Sequence, residues 1–532
     1  MTIMASRRLT RWSGVMMAAL ACVAGPVAAI ELTASEKAGK QIFLEGRSAS
    51  GSSIAARVGG ADTAIPATVV PCANCHGADG RGRREGGVRP PDITWRRLAL
   101  SYGQRLENGR ERPAYDAASF ARAISSGVDA GGNRLDPAMP RFVMSARDIE
   151  DLTAYLKRLE DDGDPGLLAD TVRVGTLQPA TGPLAELGAT VTAILRGTFD
   201  AVNAGGGVHG RRIELVVADP GPDAAGAEVA LRRLMEEEQV FAVVAPLVPA
   251  LEGRLGEIAD FARMPVVGPL AHLAGSGGRF VFDPLPGLGE QLGALGEYAA
   301  TALKLTNPPA AIVHPDEARS GAIASALAER LARRGWSQVR AYAYVPGAFD
   351  AAGVGAAVAG QGAKAVFFMG RDADFGALAA QAPLQQSAPW LFAAANQVGA
   401  SALQLPPAQA GRVLIAYPTL PQDWSPQGAG ALHAVRERSG AGERHPAFQV
   451  GAYAAAMVMM EGFKRAGRDA SRDKFVAALE NLHGFQTGVT PAIGFGPGQR
   501  TGARGAHIVG VDAQKHVFRP TGRYVRLDAV QE

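Results

Sequence analysis

Cys72-Ala73-Asn74-Cys75-His76 constrains this chain more than any other stretch. Two thiols separated by two residues and followed at once by an imidazole have the spacing of covalent c-type haem attachment. Both sulfurs reach neighbouring edges of one macrocycle, and the ring after Cys75 comes beneath the metal. Two other readings fit less well. A thioredoxin-like redox pair would follow a strand and open a helix, whereas this motif follows an irregular stretch. Half of a zinc site would need more thiols or nearby histidines, and the next histidine is His209.

The flanking residues agree with a haem domain. Residues 34–46 (ASEKAGKQIFLEG) and 145–159 (SARDIEDLTAYLKRL) read as amphipathic helices, one at each end of the domain. With the motif between them, the stretch from Thr33 to Glu160 resembles a class I cytochrome c domain. That resemblance implies two crossing terminal helices beside one covalently bound haem c, held through Cys72 and Cys75 and ligated by His76. Asp136-Pro137-Ala138-Met139-Pro140 resembles the family's Met-Pro ligand loop, which makes Met139 the expected second axial ligand, with Met144 as the alternative. His/Met ligation leaves no open coordination position and raises the potential, so the expectation is electron transfer and not enzymatic catalysis. The stretch from Ser48 to Thr68, between first helix and motif, is longer than in minimal members of that family.

Residues 1–29 carry Arg7, Arg8 and Arg11, then an apolar run from Val15 to Val23, then Val27-Ala28-Ala29. This is the pattern of a cleaved signal peptide, and the run is well short of the ~20 residues that span a bilayer. The expected location is the periplasm, with no membrane-spanning segment left after cleavage. Anchoring as a lipoprotein through Cys22 is the less favoured alternative, because Ala19 stands where such sites usually carry leucine. Of the 54 basic and 51 acidic residues, three arginines lie in this leader, which leaves the mature chain near neutrality and argues against a nucleic-acid partner. Only three cysteines occur, so a disulfide framework is excluded.

A chain of 532 residues, at roughly 100–200 residues per domain, has room for much more than a cytochrome. Residues 161–170 (DDGDPGLLAD) are acidic with Gly and Pro, which suits a linker. Beyond it, apolar strands at 172–177, 213–218, 241–245, 265–267, 310–313, 339–344 and 365–369 alternate with amphipathic helices, the signature of parallel sheets covered by helices. Val172-Arg173-Val174-Gly175, Thr181-Gly182-Pro183 and residues 202–212 (VNAGGGVHGRR) closely resemble the start of periplasmic receptors for branched-chain amino acids. The resemblance runs from Thr171 to Gly522 and implies a type I periplasmic-binding fold, two α/β lobes closing on a ligand. The expected fold is thus multidomain, a small all-α cytochrome c domain followed by a two-lobed α/β binding domain.

The positions that resemble the family's ligand pocket depart from its pattern. The small hydroxyl residues expected after the third strand are replaced by Pro246-Leu247-Val248-Pro249-Ala250-Leu251. Asn396 stands where an acidic residue would receive a ligand ammonium. The candidate ligand residues are Leu187, Pro249, Ala250, His272, Arg319 and Asn396, a set that suits a partly apolar small molecule better than an ordinary amino acid. Two functions follow as expectations. The first is a periplasmic haem c electron carrier with an appended small-molecule binding or sensing domain, whose partner is a periplasmic dehydrogenase or other redox protein. The alternative is a solute-binding protein of an ABC transporter, serving a membrane permease, with an accessory cytochrome.

Overall fold

A computed structural model describes residues 32–59, 64–82, 90–106, 109–270, 277–406, 409, 411–512 and 515–527. The signal-peptide reading of residues 1–29, with Cys22, therefore lies outside the described residues, as does His272. No helix among the described residues is long and apolar enough to cross a membrane. The chain divides into two units, Met1–Asp162 and Gly163–Glu532.

The first unit contains α1 (Ala34–Glu45), β1 (Ala55–Arg57), β2 (Ala64–Pro66), α2 (Cys72–His76), α3 (Trp95–Leu98), β3 (Gln104–Arg105), β4 (Glu111–Arg112), α4 (Ala117–Ser126), β5 (Arg141–Val143) and α5 (Ala146–Leu156). Both terminal helices start on capping boxes, Thr33 with Glu36 and Ser145 with Asp148, which satisfy backbone donors that a helix start leaves open. The two helices meet where Gly39 lies against the backbone of Asp151. A Cβ added there would come within 1.9 Å of the Asp151 carbonyl oxygen, so only glycine allows this approach. Phe43 and Tyr155 then pack with tilted rings at 5.7 Å between centroids, inside a core that includes Ile42, Phe120, Ile124, Leu152 and Leu156. Besides its helices the unit carries two small sheets, β2-β1-β5 and β3-β4, which periodicity in the sequence does not announce.

The second unit begins with a segment already attached to it. The Asp164 carboxylate accepts from the backbone N–H of Arg472 at 2.5 Å, and Leu167 bridges to Val172. Its elements are β6 (Thr171–Leu177), α6 (Ala185–Ala204), β7 (Arg212–Ala218), α7 (Ala224–Glu236), β8 (Ala242–Val244), α8 (Leu255–Phe261), β9 (Val266–Val267) and β10 (Val281–Phe282). Next come α9 (Leu288–Thr301), β11 (Ala310–Pro315), α10 (Ala318–Arg333), β12 (Val339–Tyr344), α11 (Ala351–Gly360), β13 (Ala365–Phe368), α12 (Asp372–Ala379), α13 (Ala382–Ser387), β14 (Trp390–Ala394) and β15 (Val413–Tyr417). The remainder is α14 (Pro426–Ser439), α15 (Pro446–Ala466), α16 (Arg472–Glu480), β16 (Gly505–Asp512) and β17 (Val517–Arg526).

These form two lobes. The first is built on the parallel sheet β10-β9-β8-β6-β7, the second on β12-β11-β13-β14-β15-β16-β17, whose last two strands are antiparallel. The second sheet is covered on both faces, and its central strands show why they read as unbroken apolar runs. Ala365 and Phe367 join one core cluster while Val366 and Phe368 join the other. The chain crosses between lobes three times: from β10 to α9, from β15 to α14, and from the Phe495 region to β16. Two crossings are stitched together by Asp283 N–H to Arg500 carbonyl and Gly502 N–H to Asp283 carbonyl, both 2.8 Å. In the third, the Asp423 carboxylate accepts from Nε2 of buried His507 at 2.8 and 2.9 Å. Gln422 Nε2 donates to Nδ1 of the same ring at 3.0 Å, which fixes its proton on Nε2. β17 is an edge strand with Arg519, Pro520, Arg523 and Arg526 exposed.

Candidate functional site

The haem motif forms α2, a single helical turn entered from Pro71 and closed by Gly77. One turn is enough to place Cys72, Cys75 and His76 together. The chain then returns to the motif: Ile93 N–H donates to the Gly80 carbonyl at 2.7 Å, which brings Pro91 beside His76. The His76 Nδ1 lies 3.0 Å from the Pro91 carbonyl oxygen. A carbonyl can only accept, so Nδ1 carries the proton and Nε2 keeps its lone pair for a metal, the usual orientation of a ligating histidine. His76 is 7% exposed, and burial holds its imidazole below the ordinary range, again favouring the neutral ring. The ring makes no second hydrogen bond among the described residues. Cys72 is partly buried, with burial pushing its thiol up to about 12, and Cys75 is exposed; neither is in a disulfide. Among the described residues no group of three or more His, Cys, Asp or Glu side chains could hold a metal ion, so the zinc alternative gains no further donors there.

These features fit a covalently bound haem: two thiols on one turn, and one buried imidazole oriented through its other nitrogen. When bound, the haem supplies a one-electron Fe(III)/Fe(II) couple. Cys72, Cys75 and His76 would hold it. Met139 and Met144 are both partly buried against the core of this unit. They differ in freedom. Met139 lies on a loop, whereas Met144 is held between the end of β5 and the Ser145 cap of α5.

In the second unit the candidate ligand residues separate into three groups. Pro249 and Ala250 are exposed where the loop after β8 opens, and Arg319 stands in the first turn of α10. The Arg319 guanidinium donates to the Glu252 carbonyl oxygen, so these two segments meet across the lobes. Asn396 is exposed just beyond β14. Leu187, by contrast, is 7% exposed and belongs to the first lobe's core, where it packs more than it lines a cleft. A groove of ≈ 570 Å³ along α6, lined by Gln178, Ala189, Arg196 and Arg438 among others, contains none of the six candidates.

Sequence reasoning missed polar groups at strand ends of the second lobe. His314, in β11, is buried with Nδ1 2.8 Å from the Pro315 carbonyl oxygen. Tyr344 ends β12; its hydroxyl donates to the Met369 carbonyl at 3.3 Å, and burial, reinforced by Asp374, pushes it up to about 12. Arg371 forms a two-pronged pair with Asp374 at 3.0 Å on each oxygen. The available signal was position: residues at the carboxyl ends of parallel strands are where open α/β sheets bind ligands.

One unit thus has the helix crossing and His/Cys turn of a covalent-haem carrier, and the other is a hinged two-lobed α/β binding module. A family model described as periplasmic binding protein matches residues 171–516, and a cytochrome c model matches 67–160. The chain belongs to the periplasmic binding protein family and carries a cytochrome c domain, which implies covalently bound haem c. Leu/Ile/Val-binding protein homolog 3 of Brucella melitensis biotype 1 is 23% identical over 328 residues, covering 59% of this chain and 83% of that protein. Two solved structures share the fold. A fatty acid ABC transporter substrate-binding protein from Thermomonospora curvata has TM-score 0.53 and 18% identity, covering 69% of this chain and 95% of that one. A branched chain amino acid ABC transporter from Thermus thermophilus with bound valine has TM-score 0.54 and 17% identity, covering 67% and 97%. The two domain types suggest an extracytoplasmic protein with a small-molecule ligand.

Proposed function

We propose that this protein is a periplasmic electron carrier with one haem c, whose binding domain senses a small molecule or docks the carrier to its partner, a periplasmic dehydrogenase or other redox protein. The observation that carries this reading is the buried His76 ring with Nδ1 committed to Pro91. It supports a permanently ligated iron that exchanges electrons and leaves substrate chemistry to the partner. The ligand reading is of a partly apolar, anionic small molecule. Pro249 and Ala250 offer apolar surface without hydroxyl donors, and Arg319 supplies a cation at the same place.

An optical redox titration of the exported protein, with and without a panel of small periplasmic metabolites, tests both halves. A six-coordinate spectrum with a positive potential is expected, and a potential shift with one compound would identify the ligand. A five-coordinate spectrum would overturn the carrier reading, and tight leucine or valine binding by calorimetry would overturn the ligand reading. The names of similar proteins favour a second reading, a solute-binding protein serving an ABC permease. It predicts that uptake survives deletion of the haem domain, and loss of uptake in Cys75→Ala would count against it.

A further inference from the structure

In its described residues, 48–59 and 64–68, the Ser48–Thr68 stretch is not a loose insertion. Its strand β1 lies at the centre of a three-stranded antiparallel sheet, between β2 and β5, with Ala55, Ala56 and Arg57 opposite Val143, Phe142 and Arg141. Ala56 and Phe142 point into the core at 0% and 6% exposure, which fixes the register. The strand that it holds, β5, begins two residues after Met139. On the other side of Met139, the Gly59 N–H donates to the Pro137 carbonyl at 3.2 Å. The insertion therefore grips the chain both before and after this methionine.

Arg141 holds the same loop from within. Its Nη1 donates to the Met139 carbonyl, and its Nη2 donates to the carbonyls of Leu135 at 3.1 Å and Asp136 at 3.3 Å. A planar guanidinium holds five N–H donors in a fixed fork, which lets one charged group gather three carbonyls in fixed positions. The space beside it is reserved by Gly127, where a Cβ would come within 1.9 Å of the Arg141 Nε.

We propose that β1 and Gly59, together with Arg141, form a brace that presents Met139 to the iron, with Arg141 as a positioning residue. The proposal rests on Met139 being the second axial ligand. Its consequence is a sixth ligand that resists replacement by outside donors.

The test is a titration of the ferric holo-protein with imidazole, following loss of the long-wavelength thioether-to-iron absorption band in wild type, Arg141→Ala, Arg141→Lys and Met139→Ala. In Arg141→Ala the band is expected to vanish at an imidazole concentration about tenfold lower than in wild type, the size of change that losing one charge-assisted hydrogen bond brings. Arg141→Lys, which keeps the charge but loses the planar fork, should fall between, and it decides the matter if the alanine variant does not fold. Wild-type imidazole sensitivity in the folded Arg141 variants would overturn the brace, even if their melting temperatures fell. Retention of the band in Met139→Ala would overturn the ligand assignment and the brace with it, an outcome distinct from the first.

Discussion

The Nδ1 of His76 and the carbonyl oxygen of Pro91 are 3.0 Å apart, and this contact fixes the tautomer and the plane of the imidazole. Attachment and ligation should therefore separate under mutation. In His76→Ala, covalent haem is expected to persist on a denaturing gel through Cys72 and Cys75, while the six-coordinate spectrum proposed for the native protein should be lost. In the double variant Cys72→Ala, Cys75→Ala, haem staining on that gel should disappear.

Asp148 links the insertion to the last helix of the haem unit. Its carboxylate accepts from Ser48 Oγ at 2.5 Å and from Ser145 Oγ at 2.7 Å. Burial pushes this carboxyl up, but the hydrogen bonds outweigh it and hold the group below its ordinary 3.8. A depressed folded value means that the unfolded chain binds the proton more tightly. The stabilisation is therefore complete above 3.8 and is lost as pH falls through the lower folded value. Asp148→Asn should cost about 1–3 kcal/mol at neutral pH and flatten the acid limb of the stability profile, measured by denaturant unfolding of holo-protein between neutral and acid pH.

Arg319 donates from the second lobe to the Glu252 carbonyl of the first, a contact available only when the two segments are together. Its removal should shift the binding domain toward open forms. Arg319→Ala is expected to raise the radius of gyration of the full chain in small-angle scattering relative to wild type, and to weaken binding of the eventual ligand by about 1.5–3 kcal/mol.

His507 and Asp423 tie the third crossing to the second lobe's sheet, with the ring packed against Tyr524 at 4.8 Å between centroids. The ring thus serves two neighbours at once, accepting from Gln422 at Nδ1 and donating to Asp423 from Nε2. His507→Leu should leave the Asp423 carboxylate without its buried donor and lower stability by about 1–3 kcal/mol, seen as a lower melting temperature with an unchanged haem spectrum.

Much of this architecture was legible because its signals are local. The strand Val339–Tyr344 has the bounds read from its apolar run, and β6, β7 and β13 agree with their readings to within a residue. The haem turn was legible for a similar reason, since covalent attachment demands a fixed spacing. What escaped depends on partners distant in sequence. β1 and β2 are three-residue strands, AAR and AIP, whose structure comes from pairing with β5 and one another and not from their own pattern. β17 is exposed along most of its length, so its side chains carry no alternation. In the binding domain, the contact of Arg319 with the Glu252 backbone carbonyl leaves no mark in a sequence. Leu187 falls on the inward side of α6, a matter of helix phase that the family-like motif around it did not specify.

The last strand bears on how the protein behaves when crowded. The second lobe's sheet ends on β17, an open edge in principle, yet Arg519, Arg523 and Arg526 line it and Pro520 interrupts its row of N–H groups. A strand from another molecule would have to dehydrate three guanidinium groups to pair with a backbone that has one donor missing. This edge of the sheet is thereby guarded by its own composition against pairing with a strand of another molecule.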